Sequence, residues 1–424
     1  MKVAVIGSGI AGNVAAYKLR KEHDITVFES GSYVGGHTNT MDVYEDDRAL
    51  AVDTGFIVFN DRTYPNFIRL LEEIGQESQP SEMSFSVQAD DGRVEYSGSS
   101  LNGLFAQRKN LVRPSFYRMI RDILRFNRTT LPNVDHLDGT ETLRNYLLEN
   151  GYSKEFIDHY LIPMAAAIWS AEPGSVLEMP VKFLIRFFAN HGLLQISDRP
   201  VWHVIKGGSR EYVNKLVAGH QDRIRLNNPV QSIRRTDDYV EVHSATGGSE
   251  RFDYAFVACH SDQALSLLQD ASPVEREVLG AIQYQSNEAI LHTDASLMPK
   301  KQCAWAAWNY HIPRDSARHV AVTYNMNILQ GLKANKQYLV TLHNDRHIDP
   351  GKVIRTVQYE HPVYSRESVA AQRRQSEINE DRTFFCGAYW RNGFHEDGVV
   401  SALSALGHFE ERLSNGQLHL RRAS

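Results

Sequence analysis

The sequence predicts an α/β fold built on a parallel sheet, with a second, α+β domain inserted into it. Three observations predict this. The chain opens with an apolar run at residues 3–6, then Gly7, Gly9 and Gly12 in GxGxxG spacing, then a helix-favouring stretch to Leu19. A second apolar run, 25–28, ends on an acid, Glu29, 22 residues after Gly7. Strand-then-helix patterns return at 252–268 and 383–409, whereas 76–202 is rich in helix formers and aromatics and lacks such a signature.

Residues 3–6 are short, apolar and β-branched, as a strand buried on both faces should be. The glycines that follow have separate tasks: a tight turn at Gly7, close approach of a pyrophosphate at Gly9, helix–strand packing at Gly12. In the context of strand, turn and helix this is the dinucleotide fingerprint of a Rossmann-like domain. The diphosphate sits on the free N–H groups and positive end of the helix. Glu29 is placed to accept from the adenosine ribose hydroxyls, and its charge would repel a 2′-phosphate, which argues against NADP. Gly35 and Gly36 follow six and seven residues later, with His37 and Thr38 beside them. A second glycine pair brings another backbone segment to the same diphosphate, with His37 as a polar neighbour. A plain NAD dehydrogenase needs no such pair.

Here the chain resembles the flavin-containing amine oxidase and phytoene desaturase superfamily, in which a strand-end Glu is followed by GG and usually Arg. His37 stands where that Arg would be. The resemblance implies a Rossmann-like FAD-binding domain of the glutathione-reductase type, amine oxidase-like, holding FAD non-covalently. Residues 51–60 read as a strand with a glycine turn, and relatives bring Asp53, Thr54 and Gly55 of such a segment to the flavin. Gly207–Gly208 opens a helix. Residues 227–244 read as two strands joined by a charged turn, and in relatives the valine matching Val230 packs on the adenine. At 383–409 a strand ends at Cys386–Gly387 and a helix begins near Asp397 or Gly398. The resemblance implies that Gly387, Asp397 and Val399 present backbone N–H groups to the flavin N1/O2 edge, where a helix N-terminus stabilises an anion. The expected division is 1–75, 203–270 and 375–424 for the FAD-binding domain, with 76–202 and 271–374 forming the inserted α+β substrate domain.

A length of 424 residues suits two or three domains at ~150 each, and 42% hydrophobic with 23% charged residues is ordinary for a globular chain. The net charge of −5 argues against a nucleic-acid partner. Cys259, Cys303 and Cys386 lie far apart without CxxC spacing, which reads as reduced thiols in a cytoplasm. The first strand at the N-terminus leaves no room for a signal peptide, and no apolar run approaches the ~18 residues that span a bilayer. The expected location is cytoplasmic, with attachment to the inner membrane face as an alternative. His343 and His347 would share a face only in a helix, and 338–342 reads as a strand, so no metal site is expected. GxSxG, P-loop and HExxH motifs are missing, and with them support for nucleophilic hydrolysis, NTP use and zinc proteolysis.

Two segments bear on the substrate. Residues 107–128 hold seven basic residues against one acid, Asp122. Phe116, Met119, Ile120, Ile123 and Leu124 share a helical face opposite Arg118, Arg121, Asp122 and Arg125. That is either a surface helix packed on its own domain or a helix docking on anionic phospholipid. Residues 178–194 carry Phe183, Leu184, Phe187, Phe188, Leu193 and Leu194 behind Pro180, and read either as a core helix or as the lining of a hydrophobic tunnel. Aromatics cluster at Trp305, Trp308 and Tyr310 and again at Tyr389 and Trp390. Glu172 and His311 are the candidate general bases.

The phrases DTGFIVFN, HTDASLMP, WNYH and GFHEDG resemble one bacterial branch of the superfamily, FAD-dependent amine-oxidoreductase-like proteins that accompany cyclopropane-fatty-acyl-synthase-type methyltransferases. Relatives of that kind desaturate methyl-branched phospholipid acyl chains on the way to furan fatty acids. The resemblance implies a phospholipid acyl chain, or another hydrophobic molecule, as substrate and a lipid methyltransferase as partner. An amine oxidase, a redox-neutral flavin-dependent isomerase and a non-catalytic flavoprotein partner of a methyltransferase are the alternatives.

Overall fold

The computed structural model describes all residues except 90, 91, 138, 170, 196, 197, 313–320, 343–347 and 424, and all side chains but those of 415–424. His343 and His347 lie outside the described residues. At the centre is a five-stranded parallel sheet in the order Ile224–Arg225, Asp24–Phe28, Lys2–Ile6, Tyr254–Val257, Thr383–Phe385. Lys2–Ile6 is central and hydrogen-bonded on both edges. Its Val3, Ala4 and Val5 are wholly buried, as helices or sheets covering both faces of a parallel sheet require.

One face packs the helix Ile10–Leu19 beside the closing helix His395–Ala423. The other carries a three-stranded antiparallel sheet (Val230–Arg235, Val240–Ser244, Gly248–Phe252) and the helix Ser261–Leu267. From Lys2–Ile6 the chain winds first to Asp24–Phe28 on one side and later to Tyr254–Val257 on the other. That reversal is a topological switch point, and in open α/β sheets ligands bind outside the strand ends there. Gly7 and Ala258 end the two strands that flank it.

The second body is a seven-stranded sheet in the order Val353–Pro362, Tyr284–His292, Leu339–Leu342, Ala321–Asn325, Trp308–Ile312, Phe85–Ala89, Val94–Ser97, antiparallel except where Trp308–Ile312 meets Phe85–Ala89. Packed against it are the helices Ile162–Trp169 and Val181–Asn190. A small sheet, Val58–Asn60 and Ser78–Ser81 on either side of Trp202–Ile205, straddles the boundaries expected near 75 and 203.

The amphipathic helix Pro114–Asn133 packs on its own domain, the first of the two alternatives above. Its apolar face is turned inward: Phe116, Met119 and Phe126 are buried against their own domain. Asp122, expected on the polar face, is buried as well, accepting from the Ser153 N–H at 2.9 Å. The face cannot lie on a bilayer while it holds this core together. The helix Val181–Asn190 is likewise core, with Leu184, Phe187 and Phe188 buried. Among the described residues no helix is long and apolar enough to cross a membrane.

Candidate cofactor site

A cleft of about 390 Å³ opens at the switch point. Its floor is the first glycine turn. Gly7 has φ +98°, and a Cβ there would stand 3.0 Å from the Ala258 carbonyl oxygen. At Gly12 a Cβ would stand 1.9 Å from the Gly7 carbonyl oxygen, so only glycine lets the helix start this close to the strand. Gly9 faces open space, which is the cleft itself. The helix that follows leaves its first N–H groups without intrahelical partners, and Ile10 and Ala11 line the cleft.

The second glycine pair folds over the first. Gly36 has φ +59° and a Cβ on it would meet the Gly9 Cα at 3.2 Å. Gly55 carries a third segment in: its Cβ would sit 2.2 Å from the His37 carbonyl oxygen, which accepts the Phe56 N–H at 2.7 Å. The closing helix adds a second N-terminus. Gly398 packs so closely on Ile10 that a Cβ would stand 2.5 Å from Ile10 Cγ2, and both Ile10 and His395 line the cleft. Two helix N-termini and three glycine segments therefore surround one space. Positive dipole ends and free N–H groups of that kind hold an anionic diphosphate.

The polar side chains fall into two groups. Glu29 accepts from the Ser8 N–H at 2.9 Å, the Ser8 hydroxyl at 2.5 Å and the Gly31 N–H at 2.7 Å. It thus braces the glycine turn while lining the cleft. His37 stacks on Tyr359 at 4.8 Å, and its Nε2 is buried without a partner among the described residues. Burial, with His361, His260 and His395 nearby, holds it well below its ordinary pKa, so it is a neutral ring. His395 is neutral for the same reason, lowered by burial to about 3, and lies flat on Phe56 at 3.4 Å. Its Nε2 is engaged by the Thr38 and Tyr212 hydroxyls, both at 3.0 Å.

Of the residues expected from sequence, Gly7, Gly9, Glu29, Gly36, His37, Gly55 and Gly387 line the cleft. Gly12 sits just behind. Thr38 is turned away, bonded to Tyr212 at 2.6 Å. Val230 opens the first strand of the antiparallel sheet, half-buried against that sheet's core, and is not among the residues that line the cleft. The closing helix starts at His395, two residues before Asp397, so Asp397 and Val399 are inside it and buried. Asp397 accepts the Phe394 N–H at 3.0 Å, and burial raises its carboxyl to about 7. Neither candidate base reaches the cleft. Glu172 is an exposed residue at the N-terminus of Pro173–Glu178, and His311 is buried in the seven-stranded sheet. Gly207–Gly208 also serves packing: the helix it opens receives the Asp53 carboxylate, which accepts the Ser209 N–H at 2.9 Å and is raised by burial to about 6.

The sequence pointed to only part of the far wall, through Trp308 in its aromatic cluster. Ile168, Trp169, Trp308, Tyr324, Leu342 and Tyr364 line it. A signal not used was YEHPVY at 359–364, where Tyr359 and His361 alternate at the end of a strand and Tyr364 follows just beyond it. The helix Val181–Asn190 backs this wall, with Phe183 stacked on Tyr364 at 5.0 Å and Phe187 on Phe394 at 5.3 Å.

The residues present fit FAD: a doubled glycine cradle, two converging helix N-termini, and an unpartnered His37 Nε2 in the same space. The profile of the flavin containing amine oxidoreductase family matches residues 10–316. Among curated protein sequences none matches the chain. Among solved structures it is similar to cyclohexylamine oxidase from Brevibacterium oxydans IH-35A, at 17% identity and TM-score 0.65 over 97% of this chain and 99% of that one. A CLA-producing fatty acid isomerase from P. acnes is similar at 16% identity and TM-score 0.65 over 96% and 98%. A protein provisionally designated a protoporphyrinogen oxidase, from Exiguobacterium sp. 255-15, is similar at 15% identity and TM-score 0.67 over 97% and 99%. At these identities the likeness shows the shared fold, whereas the profile match takes in most of the chain. The chain therefore belongs to the flavin containing amine oxidoreductase family, and its cofactor is FAD.

Proposed function

We propose that this FAD-dependent oxidoreductase removes two hydrogens from an acyl chain of a membrane phospholipid, one bearing a methyl branch. The observation that carries the reading is the far wall of the cleft. Its described residues are aromatic or aliphatic, without a charged side chain. The cleft's two carboxylates belong to the glycine end: Glu29 braces Ser8, and Glu360 pairs with His260 at 3.3 Å, two residues beyond the Ala258 carbonyl that abuts Gly7. An apolar chain fits such a wall, whereas a small ammonium ion finds no countercharge there. Burying ten methylenes would contribute about 8 kcal/mol at ~0.8 each.

FAD, when bound, supplies the hydride acceptor. The protein's part is to align the chain and exclude water. Tyr364, buried with its hydroxyl lacking a partner among the described residues, is held well above the ordinary phenol pKa by burial. It stays protonated and is a hydrogen-bond donor rather than a base. The substrate would give up a proton, which leaves for bulk solvent, and a hydride, which bound FAD would accept before oxygen or another acceptor reoxidised it. The fatty acid substrate of one structural neighbour supports an acyl ligand, while the amine oxidases among the neighbours support the amine reading.

Anaerobic titration separates the readings. Phospholipids with methyl-branched chains should bleach the flavin absorbance, and the recovered acyl chains should be lighter by two hydrogens. Bleaching by amines alone, or lipids of unchanged mass with shifted double bonds, would replace this reading by an amine oxidase or an isomerase.

A further inference from the structure

We propose that one end of the inserted domain is a docking surface for a bilayer containing anionic phospholipid. The proposal rests on the acyl-chain reading, since it gives that substrate a membrane in which to be met. Three chain segments converge at this end. Gln107 Nε2 donates to the Gly92 carbonyl at 2.7 Å, and Arg113 donates to the Arg93 carbonyl at 3.4 Å. Arg108 donates to Asn102 Oδ1 at 2.7 Å, while a Cβ on Gly103 would stand 3.1 Å from the Cys303 carbonyl oxygen. Residues 92–93, 101–117 and 300–303 therefore form one knob.

The knob points apolar side chains at solvent. Val112 is 83% exposed, Leu101 77%, Leu111 48% and Tyr117 46%. Tyr117 donates its hydroxyl to the Leu111 carbonyl at 2.9 Å, so these two are held together. Elsewhere among the described residues large exposed apolar side chains are scattered, and scattered ones need no explanation. Here four come from a stretch of 17 residues that folds back on itself.

Around them stand Arg93, Arg108, Lys109, Arg113, Lys300 and Lys301, all exposed except the half-buried Arg113. Among the described residues Arg108 and Arg113 donate to carbonyl and amide oxygens rather than to carboxylates. None of these segments contains an acid; beside the first in sequence stand Glu95, which is buried, and Asp90 and Asp91, which lie outside the described residues. Six basic residues against three acidic is the reverse of a chain whose net charge is −5. Apolar tips ringed by cations match the boundary between anionic headgroups and acyl chains. This surface is distinct from the inward face of Pro114–Asn133.

The test is co-sedimentation of the full-length, flavin-loaded protein with phosphatidylcholine vesicles, with and without phosphatidylglycerol. Binding should require phosphatidylglycerol and weaken with salt. Both Leu101→Ser/Val112→Ser and Arg108→Glu/Lys109→Glu should lower partitioning roughly tenfold or more, with the flavin spectrum and Tm unchanged. Equal binding to neutral vesicles, or variants that partition like the parent, would overturn the proposal. So would a dimer that Val112→Ser dissociates in a protein that ignores vesicles, which would mean that a second copy covers the knob. If vesicles are ignored but acyl chains in detergent micelles still lose two hydrogens, docking fails and the substrate reading stands. If vesicles are bound but no lipid bleaches the flavin, the reverse holds.

Discussion

Glycines at this site act through what their absent side chains would strike. At Gly36 the φ of +59° and the Gly9 Cα at 3.2 Å combine a backbone penalty with a close approach of two phosphate-facing loops. Gly36→Ala should leave the fold intact, because the strain falls on a loop, but should push the loops apart. FAD affinity measured by fluorescence titration is expected to fall about tenfold, near 1.4 kcal/mol. Unchanged affinity would show that the second pair does not shape the cradle. The replaced atoms also explain which residues were legible. Gly7, Gly12 and Gly36 are recognisable because spacing alone implies a turn. Glu172 and His311 were chosen by residue type and neighbours, and neither property says which way a side chain faces.

Helix ends matter more than helix faces. The first helix and the closing helix, almost 400 residues apart in sequence, bring their N-termini together because Gly398 has no side chain to hold Ile10 away. Gly398→Val should separate them, with loss of bound flavin on gel filtration and far-UV circular dichroism unchanged. Retention of stoichiometric flavin would show that the second N-terminus contributes little. The same packing shows why a helix start read from sequence was two residues late. The helix was expected to begin near Asp397 or Gly398. Asp397 is instead in the first turn, and its carboxylate reaches back to the Phe394 N–H as an acid at the third helical position does. For Pro114–Asn133 the periodicity placed Phe116 and Met119 on the buried face but also the exposed Leu124, and it left open what covers that face. Burial of Asp122 beneath Ser153 shows that the answer is its own domain.

Across the whole molecule, buried histidines set the acid limit. His37, His191, His220, His292 and His395 are all lowered, chiefly by burial, the last four to about 4, 4, 4 and 3. Each is neutral when folded and titrates near 6.5 when unfolded, so the unfolded state takes up protons first as pH drops. Stability should be full above pH ~6.5 and decline below it, by on the order of 1.4 kcal/mol per pH unit for each wholly buried ring. Asp53 and Asp397 oppose this: their raised carboxyls cost stability as pH rises from ~4 toward 7 and relieve that cost on acidification. Five rings outweigh two carboxyls. Thermal unfolding of the flavin-loaded protein should therefore show Tm falling between pH 6.5 and 4. A Tm that rises over that range would show the carboxyls dominate.

By itself the sequence determined the parallel sheet's opening strands, the glycine cradle and hence the nucleotide, because turns and helix starts are local and leave their mark in neighbouring residues. Tertiary structure alone decided the far wall of the cleft. Ile168, Trp308, Tyr324, Leu342 and Tyr364 come from five separate segments. A lining assembled across a sheet depends on register and packing between strands, neither of which is written in the spacing of residues along one of them.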